Sequence, residues 1–258
     1  LHASHGSHSA IGGNCGINTV SPLRYLELMD RDGGPINMGL LAGHTFLREQ
    51  PGTGTSTVQF GPMNNNGVKL VKEALEAGCF GVSFGIRYVP GVTRDEMVKT
   101  ACFCQSHGRL VAAHVRDDAD NVFGAVEELV SIGGSWIFRF KFPMWEAWGD
   151  WQMERLLALI DRYRASGMEL SGDCYPYDAF STRIGETTYD EGFLERYCTQ
   201  YSAIEICEGM YKGQRCTERL FHELRQTAPD TLTVCHVMKA EDVALALSHP
   251  AIMLASDG

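Results

Sequence analysis

Apolar residues fall along this chain in two alternating rhythms. After Pro35, short runs of consecutive apolar and small residues read as buried strands: INMGLLAGH (36–44), CFGVSFG (79–85), LVAAHV (110–115), MELSGDCYP (168–176), TLTVCHVM (231–238) and AIMLASDG (251–258). Between them lie stretches with helical spacing. GVKLVKEALEAG puts Val68, Val71 and Leu75 on one face and closes on Gly78, and Thr93 with Glu96 forms a capping-box pattern ahead of MVKTACFCQ. NVFGAVEELV, QMERLLALIDRYRASG, ERLFHELRQ and AEDVALALSH supply further helices. Strands alternating with helices predict an α/β fold on a parallel sheet, with a (β/α)8 TIM-type barrel ahead of a doubly wound sheet, because no GxGxxG follows a first strand.

The 258 residues, 44% of them hydrophobic, are enough for one barrel-sized core, so a single domain over 1–258 is expected. A formal net charge of −10 argues against nucleic acid, which needs a basic stripe to displace counterions. Nine cysteines, odd in number and scattered through apolar runs, do not form a disulfide framework and point to a reducing cytoplasm. The chain carries neither a signal-peptide pattern nor an apolar run long enough to span a bilayer, so no membrane partner is expected.

Polar residues gather at the C-terminal ends of the strands, the barrel end that hosts chemistry: His44, His114 with Arg116, Asp173 with Tyr175 and Tyr177, His236 and Asp257. Each has a plainer reading. His44 and His236 can be satisfied strand histidines, His114 and Arg116 can bond buried carbonyls, the tyrosines can pack on Pro176, and Ser-Asp-Gly is also a turn tripeptide.

Six segments together resemble the N-acyl-D-amino-acid deacylase (D-aminoacylase) family of the metal-dependent amidohydrolases: GGNCG (12–16), LLAGHTFLR (40–48), GVSFGIRYVPG (81–91), AAHVRDDAD (112–120), DCYPYDAFST (173–182) and EDVALALSHPAIMLASDG (241–258). The resemblance implies zinc-dependent hydrolysis of the amide of N-acyl-D-amino acids, with one or two zinc ions and a small-molecule substrate. It makes Cys15 a metal ligand and Asp257 the general acid/base. Arg116, Tyr175, Tyr177 and Arg183 become substrate-binding candidates, and His44, His114 and His236 further candidate ligands. The chemistry agrees, since thiolate and imidazole bind zinc well, zinc lowers the pKa of water to about 7, and a carboxylate nearby can move its proton. Two alternatives stand beside this reading: a dihydroorotase-like cyclic amidase, and a non-catalytic ligand-binding barrel.

The chain departs from the family pattern in two places. The family's HxH pair and its Ile-Ser-His strand are both missing, and His2, His5 and His8 do not replace the pair, because a spacing of three does not suit alternate residues of a strand. Residues 134–152 hold all four tryptophans and show no regular periodicity. Phe140–Gly149 can be encoded so that reading from the third base gives Gln-Ile-Ser-His-Val-Gly-Ser-Met-Gly, which marks this stretch as out of frame or inserted. Residues 6–8 permit a similar reading. The chain reads as a fragment of such a barrel, lacking its first strand and a C-terminal β-rich part, so its own activity is in doubt.

Overall fold

The computed structural model describes residues 8–50, 63–89, 91–117, 121–132, 136–139 and 152–256. The described residues fall into two compact units, those within 1–116, 124–139 and 168–170 in the first and those within 117–123, 140–167 and 171–258 in the second.

The first unit is built on parallel strands β1 (Ser9–Gly12), β2 (Asn37–Gly43), β3 (Gly81–Gly85), β4 (Leu110–His114) and β5 (Trp136–Arg139), each paired with the next. The central strands are buried on both faces, which explains why they read as unbroken apolar runs. Their helices are α1 (Pro22–Asp32), α2 (His44–Arg48), α3 (Asn65–Glu76), α4 (Arg94–Ser106) and α5 (Val122–Val130). Helix starts follow the local chemistry. Ser21 caps α1 ahead of Pro22, and the Asn64 side chain accepts from the Asn66 and Gly67 N–H groups at the start of α3.

Three expectations need correction here. Residues 136–139, in the stretch without periodicity, do form a strand: Val111 pairs with Trp136 and His114 with Arg139, so β4 is hydrogen-bonded on this side as well. The remainder of 134–152, apart from Gln152, lies outside the described residues. On α3, Val71, Ala74 and Leu75 face inward while Val68 is exposed. At α4, Thr93 Oγ1 accepts from the Glu96 N–H at 3.4 Å, but the Glu96 side chain turns into the core instead of completing a capping box.

The second unit contains α6 (Gln152–Ala165), a parallel pair of β6 (Leu170–Cys174) and β10 (Ile252–Leu254), and a separate antiparallel sheet in the order β7 (Ala179–Arg183), β9 (Leu232–His236), β8 (Ile204–Ile206). Helices α7 (Phe193–Arg196), α8 (Glu218–Thr227) and α9 (Ala240–Leu247) complete it. TLTVCHVM, expected among the parallel strands, is β9 of the antiparallel sheet, where Phe180 opposes Cys235 and Ile204 opposes it from the other side. An apolar run fixes burial but not strand direction, and the partners that decided the matter, AFSTR and IEI, are short. Phe180, Tyr189, Phe193, Tyr197 and Phe221 form the aromatic core under this sheet.

Candidate metal centre

In the first unit, β1 runs into a tight turn, Asn14–Gly16, and Cys15 sits at its apex in the left-handed conformation (φ 57°, ψ 24°). A β-carbon on Gly43 would lie 2.5 Å from the Gly16 carbonyl oxygen, and one on Gly85 would lie 2.1 Å from that of Cys15. The turn therefore rests directly on the ends of β2 and β3, and only glycine permits the approach. This seating places Cys15 Sγ 3.6 Å from His114 Nδ1 at the end of β4, 99 residues away in sequence. The Tyr88 ring stands edge-on to His114 at 5.1 Å between centroids.

That separation suits zinc. Two ligands on a tetrahedral ion, sulfur at about 2.3 Å and nitrogen at about 2.0–2.1 Å, stand roughly 3.6 Å apart. Among the described residues no group of three His, Cys, Asp or Glu side chains is gathered into a metal site. Asp257 lies outside the described residues, as do His2 and His5.

His44, at the end of β2, is fully buried against Phe84, with its Nε2 3.1 Å from Glu96 Oε1 though not aligned as a hydrogen bond. Glu96 also pairs with the fully buried Arg48, which donates a further bond to the Gly91 carbonyl at 3.2 Å. Burial pushes the His44 pKa down, partly offset by Glu96. Burial pushes Glu96 the other way, but His44 and Arg48 outweigh it and hold the carboxyl below its usual value. Both shifts act with the same sign. Below about pH 6.5 the unfolded chain protonates His44 while the native state resists, and below about pH 4.3 the same holds for Glu96. Stability is therefore full at neutral pH and falls as the solution is acidified. Urea midpoints should drop from pH 7.5 to pH 5, and the drop should be smaller in His44→Gln; a pH-independent midpoint would contradict the assignment.

Arg116 is held by Glu128 in a fork, Nε to Oε2 at 3.0 Å and Nη2 to Oε1 at 3.1 Å, and its Nη2 also reaches the Val92 carbonyl. In the second unit Tyr175 is buried, its hydroxyl donating to Met238 Sδ at 3.7 Å, while Tyr177 is half exposed with its ring centroid 5.9 Å from that of Tyr175. Arg183 is exposed and pairs with Asp230 at 3.1 Å. His236 lies on the antiparallel sheet with Nε2 3.5 Å from Glu205 Oε2. The geometry thus brings Cys15 and His114 together, and it pairs His44, Arg116, Arg183 and His236 with carboxylates.

Sequence reasoning missed Ser83 and Asn18, which hold the Cys15 turn. Ser83 Oγ accepts from the Gly16 N–H at 3.1 Å and donates to the Gly13 carbonyl. Asn18 Oδ1 accepts from the Gly43 N–H at 2.6 Å, and its Nδ2 donates to the Leu41 carbonyl at 3.2 Å. A lone serine inside the apolar run GVSFG was the available signal.

No family model matches the chain. N-acyl-D-glutamate deacylase from Alcaligenes xylosoxydans xylosoxydans is 30% identical over 212 residues, covering 69% of this chain and 42% of the relative. The crystal structure of N-acyl-D-glutamate deacylase from Bordetella bronchiseptica, complexed with zinc and a phosphonate mimic of the tetrahedral intermediate, superposes with a TM-score of 0.83 at 26% identity, over 99% of this chain and 60% of that one. A D-aminoacylase studied for its binuclear metal centre shares the fold, with a TM-score of 0.81 at 21% identity, over the same 99% and 60%. The chain therefore spans only part of its relatives' length, less than half in the first case. The described strands and these likenesses support one assignment, the N-acyl-D-amino-acid deacylase (D-aminoacylase) family of amidohydrolases.

Proposed function

We propose that the protein containing this chain is a zinc-dependent hydrolase that cleaves N-acyl-D-amino acids to a carboxylate and a free D-amino acid. The observation that carries this reading is the Cys15–His114 pair, set at the separation of two zinc ligands at the C-terminal ends of parallel strands. Zinc bound there supplies Lewis-acid activation of water and of the amide carbonyl. Cys15 brings the thiolate charge, and His114, held edge-on by Tyr88, brings an oriented nitrogen. Asp257, from the Ser-Asp-Gly motif, is proposed to accept the proton of water and return it to the leaving nitrogen. Tyr177, the more exposed of the two tyrosines, is proposed to touch substrate, and Arg116 and Arg183 are proposed to meet its carboxylate by exchanging their present partners. The parallel strands are proposed to belong to a (β/α)8 barrel. All nine cysteines are free, which supports a reducing cytoplasm, and no described helix is long and apolar enough to cross a membrane.

Residues 134–152 bear on activity. We propose that the stretch after β5 is out of frame or inserted, on the strength of the readable Gln-Ile-Ser-His-Val-Gly-Ser-Met-Gly beneath it. Restoring those residues should raise the zinc bound per chain; unchanged metal content would refute the proposal, as would a nucleotide sequence whose codons do not permit the alternative frame.

The full-length protein, loaded with zinc, should hydrolyse N-acetyl-D-glutamate and leave the L-enantiomer and dihydropyrimidines untouched. Asp257→Asn should retain zinc and fold while kcat drops about 100-fold, the usual scale for a lost acid/base. Near-normal turnover would remove Asp257 from the mechanism. A second reading, a non-catalytic ligand-binding barrel, is favoured by the lack of a three-ligand group among the described residues. A full-length protein without metal and without turnover would establish it.

A further inference from the structure

Cys15 is one of two non-glycine residues with positive φ among the described residues, and a side chain held in that region persists only where the surroundings over-determine it. What determines it here is a pair of side chains from outside the turn itself. Ser83 is fully buried in β3, and it spends both its acceptor and its donor on the two ends of one turn, the Gly16 N–H and the Gly13 carbonyl. Asn18 does the same from the other flank, tying the chain just past the turn to the Gly43 N–H and the Leu41 carbonyl at the end of β2. These four bonds close the segment Gly13–Asn18 onto β2 and β3, from which Cys15 faces His114.

We propose that Ser83 and Asn18 are positioning residues that fix the Cys15 turn, so that the thiol is presented to the metal beside His114. The proposal rests on the reading of Cys15 as a metal ligand. Its chemistry is that of an outer shell: neither side chain bonds the metal, yet each removes freedom from the group that does, and loss of such a partner typically costs 10- to 100-fold in metal affinity.

The test uses the full-length protein, with cobalt(II) as the probe ion, because a cobalt–thiolate bond shows a sulfur-to-metal charge-transfer band. In Ser83→Ala the Gly16 amide should exchange with solvent about tenfold faster, the loss of one neutral hydrogen bond, while the remaining amides of β3 keep their protection. Cobalt affinity should fall about 10- to 100-fold and the band should weaken. Should Ser83→Ala fail to fold, Asn18→Ala, at a half-buried position, carries the same expectation, with the Gly43 amide as reporter. Unchanged amide exchange with unchanged cobalt affinity in the folded variants overturns the proposal. A parent protein that binds cobalt without the sulfur band rejects Cys15 as a ligand, and with it the positioning role, even where the amide result shows that the turn is clamped.

Discussion

Cys15→Ala in the full-length protein removes a thiolate ligand and its charge together, and zinc affinity should fall about 10²- to 10³-fold. The scale follows from structural zinc sites, where about 10–16 kcal/mol is shared among four ligands, so one ligand accounts for roughly 3–4 kcal/mol. The fold should survive, because Cys15 is half-buried and the bonds that hold its turn come from Ser83 and Asn18 and not from the thiol. Equilibrium dialysis against a zinc chelator reads the change directly. Zinc affinity within twofold of the parent would remove Cys15 from the metal site.

Glu96→Ala acts on stability instead. Arg48 and His44 are both fully buried, and Glu96 is the carboxylate against each of them. Removing one partner of a buried ion pair leaves the other charge in low dielectric, at a cost of about 3–5 kcal/mol. Against a net stability of about 5–15 kcal/mol, that is a fifth or more of the total. The Thr93 cap should be unaffected, since it uses the Glu96 main-chain N–H. Urea denaturation at neutral pH measures the loss, and a decrease below about 1 kcal/mol would show that the network is not a stabilising one.

Much of this architecture is legible in the chain, and the exceptions have physical causes. β2, β3, β4 and β6 were readable because burial on both faces writes a strand as an uninterrupted apolar run. β1 escaped because Ser9–Gly12 is short and carries one large apolar residue, Ile11, which is exposed. α1 escaped although Ser21-Pro22 at its start and Gly33 at its end are ordinary helix boundary signals. β9 was found but misplaced, because hydrophobic periodicity carries no information on strand direction. β5 was hidden within a tryptophan-rich stretch where no alternation could be read. The same division holds at the site. His114 stood out by its position after a strand and Cys15 through the resemblance of GGNCG to the family, whereas Ser83, Asn18 and the inward turn of Glu96 emerge only once the sheet brings distant segments together.

The most direct test of a Cys15-centred zinc site is zinc K-edge X-ray absorption on the full-length protein. A zinc ion held by Cys15 should show a zinc–sulfur shell of one scatterer at about 2.3 Å, with nitrogen and oxygen neighbours at about 2.0–2.2 Å, and should lose the sulfur shell in Cys15→Ala. A zinc-loaded protein with only nitrogen and oxygen neighbours, or a sulfur shell that persists in Cys15→Ala, would contradict such a site.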